Sequence, residues 1–280
     1  MDALATNDVR WLFNHKAAAW QGKYRPGSKL QARLERFTTR LEELLLPPGR
    51  ILDLGCGTGD LAAALSAQGY RVTACDIAEK MLEVAREAYA GAGVEWRGLD
   101  AGWRELPFPA GRFDGAVASS VFEYLEAVPG VASELARVLR PGGVLLLSVP
   151  NPYNRWRKLE AGLQSLAGRR RLPRWLERIP RVDSYVAYLR LSRNRWGCEG
   201  WQTALSAANF AALDDRDFSD QAWRGQAGAS LVILALKKSE AGGCCPNLEV
   251  TPPSWRLRCR LEASATAHIR TGPAGEAQDS

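Results

Sequence analysis

Apolar residues along this chain follow two alternating periods. In "KLQARLERFTTRLEELL", Leu30, Leu34, Phe37, Leu41 and Leu45 recur at spacings of three and four, the period of an amphipathic helix. Helical patterning extends over residues 8–46 and stops at Pro47, Pro48 and Gly49. Short apolar runs then alternate with helical segments. "RILDL" predicts a strand and "LAAALSAQG" a helix ending at Gly69. "YRVTACDI" predicts a second strand, "AEKMLEVAREAYAGAG" a helix and "VEWRGLD" a third strand. "FDGAVASS" predicts a fourth strand, followed by a helix through "ASELARVLR", a turn at "PGG" and the strand "VLLLSVP". Strands that alternate with helices build a parallel, doubly wound α/β sheet.

The pattern changes after Pro150. Residues 151–195 combine helical fragments, prolines and arginines; "CEGWQTALSAANF" predicts a further helix, and "ASLVILALKK" a largely apolar strand. Beyond Lys238 the sequence is rich in Gly, Pro, Ser and Ala without sustained period, which predicts a disordered tail over 239–280. The expected organisation is a helical cover over 1–46, a main domain over 47–238 with a basic helical insertion at about 151–195, and that tail.

Composition adds limits. A chain of 280 residues, 46% hydrophobic and 24% charged, can bury a sizeable core. It contains no run of eighteen apolar residues and no basic-then-apolar leader, so a cytoplasmic setting is expected. The cysteines, 6 in all, form no CxxC pair, which indicates neither zinc nor a disulfide framework. The net charge of +6 is unevenly placed. Residues 155–195 hold twelve Lys/Arg against three acids, so the rest of the chain is net acidic.

The chemistry concentrates in "RILDLGCGTGDL". A dinucleotide loop requires G-x-G-x-x-G, but the sixth position here is Asp60, and the glycines fall at Gly55, Gly57 and Gly59 behind Asp53. A carboxylate at Asp53 repels a pyrophosphate and suits a ligand with an ammonium group. The following helix N-terminus suits a carboxylate. Asp76, closing the second strand, can accept from ribose hydroxyls. Asp100, closing the third, can accept from an adenine amino group while the Ala101 backbone donates. Ile77 and Met81 supply apolar walls. A ligand with ammonium, carboxylate and nucleoside parts is S-adenosyl-L-methionine.

With these residues in place, "ILDLGCGTGDLAAALSAQGYRVTACDIAEKMLEVAR", "LPFPAGRFDGAVASSVFEYL" and "ELARVLRPGGVLLLSVPN" resemble the class I S-adenosylmethionine-dependent methyltransferases, within the subgroup of small-molecule and ubiquinone-biosynthesis enzymes. The resemblance covers about residues 10–238. It implies a Rossmann-like seven-stranded sheet, mostly parallel with an antiparallel last strand, a helical cover over the cofactor and a helical insertion after strand 5. It places Ser119 beside the cofactor, and Glu123 and Tyr124 near the transferred methyl group. It also implies that an arginine ahead of the first strand, Arg25 before Arg33, reaches the cofactor carboxylate. Asp114 is expected to be structural. Magnesium-dependent relatives carry E-x-x-E-H where this chain has Ser120, Glu123 and Tyr124, so no metal is expected. His15 is the remaining candidate base, and Tyr153, in the turn "NPY", a candidate pocket residue. The expected acceptor is a small organic molecule, methylated at oxygen. Two readings compete: an RNA methyltransferase using the basic insertion, and an inert cofactor-binding subunit supporting a partner. The insertion itself reads as a substrate lid or as a peripheral membrane contact, because Trp156, Leu159, Leu163 and Leu166 form an apolar stripe beside Arg155, Arg157 and Lys158.

Overall fold

A computed structural model describes residues 3–168 and 180–239, all within one compact unit, Met1–Cys244. The tail expected over 239–280 lies outside these residues except for Ser239, as does the arginine-rich fragment at 169–179. Helices α1 (Ala3–Trp20) and α2 (Lys29–Leu44) precede the sheet. Ser28 starts α2 as its N-cap, with Oγ accepting from the Gln31 amide at 3.1 Å. Then follow β1 (Arg50–Leu54), α3 (Asp60–Ala67), β2 (Arg71–Asp76), α4 (Glu79–Ala88), β3 (Glu95–Gly98), β4 (Phe113–Ala118), α5 (Val128–Val138) and β5 (Leu139–Pro150). The chain continues through α6 (Arg155–Gly168), α7 (Pro180–Leu191), α8 (Cys198–Ser206), β6 (Phe210–Ala212), α9 (Asp220–Gly225) and β7 (Leu231–Lys238).

The sheet has seven strands in the order β3-β2-β1-β4-β5-β7-β6. β1 to β5 pair in parallel, and β7 runs antiparallel to β5 and to β6. The expected strand "ASLVILALKK" is β7. The helix expected over "CEGWQTALSAANF" is α8 and ends at Ser206, and β6, of which only Phe210 fell within that expectation, follows it. Three residues are too few to show a period, and β6 is held by its partner β7.

Apolar runs in the central strands feed two cores because successive side chains point to opposite faces. Ile51, Val144 and Leu146 join Phe37 and Leu41 of α2 and Leu61 and Leu65 of α3 on one face. Leu52, Leu54, Leu145 and Leu147 join Leu135 of α5 and Trp201 of α8 on the other. α1 packs on α4 and α7. Asp114 is structural: it receives the Arg50 amide at 2.8 Å and both the Arg50 and Arg140 guanidinium groups, which hold its carboxyl down at about 2. The "NPY" turn is structural too. Asn151 is fully buried and donates to the Trp223 and Gln226 carbonyls at 3.2 and 2.9 Å. Tyr153 faces Asp220 rather than the pocket, so its candidacy as a pocket residue falls.

Gly59 shows how the sheet sets the loop. It is left-handed (φ 81°), and a Cβ there would lie 2.5 Å from the Trp96 ring of β3. Gly59→Ala is therefore expected to cost roughly 2–4 kcal/mol, the left-handed penalty plus overpacking, read as a lower midpoint in urea unfolding with an unchanged m-value.

Candidate active site

The cavity lies at the C-terminal ends of β1, β2 and β4, where open α/β sheets bind ligands. Its volume is 320 Å³. The loop after β1 forms its floor. The amides of Gly55 and Cys56 both donate to the Cys75 carbonyl, at 2.7 and 3.0 Å. Asp76 fastens the loop from β2: Oδ2 accepts the Gly57 amide and Oδ1 the Ala78 amide, both at 2.8 Å. Gly57 (φ 56°) faces open space, with nothing within 4 Å of the place its Cβ would take. At Gly55 (φ 72°) a Cβ would meet Val121 Cγ2 at 2.4 Å, so the loop after β4 closes directly over it.

Asp53 is 1% exposed, and its Oδ2 has no hydrogen-bond partner. Burial, then the nearby Asp76 carboxylate, push its carboxyl up to about 8. Burial also raises Asp76, against the two amides that favour its charged form. Two acids at one loop with an unpartnered oxygen between sheet and cavity form a site prepared for a cation or a donor. Ser120, itself left-handed (φ 59°), accepts from Arg33 Nη1 at 2.6 Å. Tyr24 packs beside Arg33 and lines the same end.

Part of the lining is aromatic, and Phe13 and Trp20 within it pack against Met81. Phe13 meets Tyr124 edge-on at 5.3 Å and Trp20 at 5.8 Å, and Tyr124 meets Tyr188 of α7 at 6.4 Å. Beneath them Glu123 is 2% exposed and accepts from Ser192 Oγ at 2.8 Å and from Arg157 Nη1 at 3.3 Å. Arg157 also pairs with Glu160 at 3.2 Å and donates to the Tyr188 hydroxyl. Burial pushes Tyr188 up to about 12 and Tyr124 well above the usual phenol range. Both therefore stand as neutral phenols at physiological pH.

The structure brings Asp53, Gly55, Gly57, Asp76, Ile77, Met81, Ser119, Glu123 and Tyr124 to this cavity. Five expected residues do not line it. Gly59 packs on Trp96 instead. Asp100 is exposed, because the chain turns at Gly102 and presents Leu99, Gly102 and Trp103 to the cavity in place of Asp100 and Ala101. Arg25 is exposed ahead of α2, whereas Arg33, one turn into that helix, points in. His15 is exposed, its Nδ1 bonded to the Trp11 carbonyl at 2.9 Å, on the side of α1 away from Phe13. Sequence reading missed Phe13, Trp20, Tyr188 and Arg157 as lining residues. Helical spacing makes such side chains look like ordinary core or solvent-facing charge.

Comparison with known proteins fits this geometry. Residues 52–147 match the family described as "Methyltransferase domain". A demethylmenaquinone methyltransferase of Clavibacter sepedonicus is 35% identical over 177 residues, 61% of this chain and 69% of that protein. One of Thermus thermophilus is 41% identical over 122 residues, 42% of this chain and 56% of that protein. A malonyl-[acyl-carrier protein] O-methyltransferase of Serratia marcescens is 37% identical over 102 residues, 36% of this chain and 38% of that protein. The match thus spans little more than half of the Thermus relative and less of the Serratia one. In fold, a methyltransferase structure from Thermotoga maritima superposes with TM-score 0.54 at 17% identity, covering 81% of this chain and 98% of that one. The sheet order, the glycine loop with its paired acids and these relatives together define the class, and the chain belongs to the class I S-adenosylmethionine-dependent methyltransferases.

The family's cofactor suits the residues present. The unpartnered Asp53 oxygen, the open face of Gly57 and the half-buried Asp76 would hold its charged and ribose parts, with Ile77 and Met81 as apolar walls. Because the folded-state carboxyl of Asp53 lies above its ordinary value, the native state binds the extra proton. Wild-type stability is then lost as pH rises from 3.8 towards 8. Asp53→Asn removes that loss. Its melting temperature is expected to climb relative to wild type across this window, while S-adenosylmethionine affinity falls roughly tenfold or more. A gap that stays flat with pH would show that Asp53 is not a strained carboxylate.

Proposed function

We propose that the chain transfers a methyl group from S-adenosylmethionine to a small, largely apolar organic acceptor, at oxygen. The observation that carries this is one cavity that combines a polar floor of glycines and acids with an aromatic wall of Phe13, Tyr124 and Tyr188, Phe13 and Trp20 packing against Met81 as well. The cofactor supplies an electrophilic methyl group on a sulfonium sulfur. The chain's task is to bind, orient and exclude water. The glycine loop and Asp76 fix one reactant, and the aromatic wall confines the other. Val121 closes over Gly55 between them.

Glu123 acts as a positioning residue. Its carboxylate is engaged by Arg157 and Ser192, and its carbonyl accepts the Arg193 amide at 2.8 Å. It thereby ties the segment after α7 to the loop after β4. Tyr124 presents a neutral hydroxyl. Among the described residues no imidazole lines the cavity, which favours an acceptor oxygen acidic enough to lose its proton readily, such as a carboxyl, enol or phenol. Among the relatives, the Serratia marcescens protein is named an O-methyltransferase, which is consistent with transfer to oxygen.

The RNA reading is weakened because part of the basic segment is spent internally. Arg157 and Arg195 both pair with Glu160, and Arg193 pairs with Glu126. The inert-subunit reading fails if the chain turns over alone. Among the described residues, no group of three or more His, Cys, Asp and Glu side chains could hold a metal ion.

The test is incubation of the purified chain with methyl-labelled S-adenosylmethionine and fractionated metabolite extract, with and without EDTA, reading products by mass spectrometry. A labelled small molecule, formed equally in EDTA, is expected; label confined to RNA, or magnesium-restored activity, would overturn the reading. Asp76→Ala loses two amide acceptors and the ribose contact, so calorimetry should show affinity for S-adenosylmethionine weakened roughly 10- to 150-fold. Glu123→Gln weakens the charge pairing with Arg157 and is expected to lower kcat with little change in cofactor affinity. An unchanged kcat would remove Glu123 from the site.

A further inference from the structure

The insertion turns its charge inward and its apolar stripe outward. On α6, Arg157 is 8% exposed and faces Glu123, Glu160 and Tyr188. Trp156 and Leu159, three positions apart and so on one face, are 68% and 53% exposed. A lid whose stripe covered the pocket would show the reverse. Arg155 and Lys158, also exposed, flank the stripe one turn apart. Beside it on α7, Tyr185 is 43% exposed and hydrogen-bonded to Glu160, which lies one turn along α6 from Trp156.

This face connects to the cavity through rings. Tyr185 stacks on Tyr188 at 5.9 Å, Tyr188 meets Tyr124, and Tyr124 meets Phe13. The series runs from a solvent-facing ring to rings that line the acceptor end. An apolar stripe with Trp at its centre, cations at its flank and an aromatic run leading inward matches the requirements of a membrane interface. Trp and Leu enter the headgroup boundary while Arg and Lys meet anionic headgroups. The surrounding sequence adds to the charge match, because residues 155–195 hold twelve Lys/Arg against three acids, although Arg157, Arg193 and Arg195 among these cations are held in internal ion pairs.

We propose that the exposed face of α6, with Tyr185 of α7, docks on the surface of an anionic lipid bilayer, from which a lipophilic acceptor passes along the tyrosines to the cavity. The identity of the acceptor as lipophilic rests on the functional reading above; the docking itself does not. No helix among the described residues is long and apolar enough to cross a membrane, so the contact is peripheral.

The full chain is floated with phosphatidylcholine vesicles and with vesicles containing phosphatidylglycerol, at low and high salt. Flotation is expected with phosphatidylglycerol at low salt, with loss at high salt. Arg155→Glu/Lys158→Glu should weaken partitioning roughly 30-fold or more, from about one factor of five per removed cation and further repulsion. Trp156→Ser/Leu159→Ser should also abolish flotation while leaving the thermal melt intact, since both side chains are exposed. Lipids brominated near the headgroup should quench tryptophan fluorescence in wild type, and less in Trp156→Phe. Absence of flotation at low salt, equal flotation of the α6 variants, or capture of the chain by an acidic carrier protein in place of vesicles would each overturn the proposal. Methyl transfer is read separately: turnover without flotation sinks only the docking, and flotation without turnover sinks only the catalytic reading.

Discussion

Two carboxyl groups close together beneath a glycine loop, Asp53 buried and Asp76 half-buried, set the terms for the rest of this molecule. Asp53 lies one residue before the end of β1 and Asp76 ends its parallel neighbour β2, so the sheet places them close together. Asp76 offsets part of its burial by accepting two backbone amides, and in doing so fixes the path of the loop. Asp53 has no such relief on one oxygen. The free energy of keeping it there comes from the core on both faces of the sheet, where β1 and β5 contribute apolar side chains in strict alternation.

The legibility of the site follows the distance over which each residue is determined. The glycine loop, Asp53 and Asp76 belong to a strand–turn–helix unit whose geometry is local, and spacing alone locates them. Asp100 fails that logic because its position depends on the turn at Gly102, which carries no periodic signal. Arg25 lies ahead of α2, whereas Arg33 stands within it and reaches Ser120 of the loop after β4, a direction set by Phe37 and Leu41 packing on the sheet. Arg157, Tyr188 and Glu123 meet across long sequence separations, through α6 and α7, so no local pattern announces them. The parallel part of the sheet was readable from alternation and the antiparallel β7 from the family resemblance, whereas β6 exists through its pairing with β7.

The insertion after β5 shows a similar limit. Its helical period was visible, as was the stripe of Trp156, Leu159 and Leu163. The direction of that stripe was not, because a helix with apolar residues on one side and arginines on the other can be docked by either. Here Glu123 decides. A buried acid below the helix draws Arg157 in, with Ser192 and Tyr188 completing the cluster, and the apolar residues are left outside.

The same cluster has a consequence for how such a chain can diverge. The floor of the cavity is made by strands and turns between residues 50 and 119, whereas Phe13, Trp20, Arg157 and Tyr188 come from segments before and after. Glu123 is a principal joint between the post-β5 walls and the floor. A lineage that keeps this joint, Arg157 and Ser192 included, can vary the other residues of α6 and α7 without disturbing the strands that carry the acids. Acceptor choice is therefore free to drift as a module, while the cofactor end is held nearly constant by the sheet.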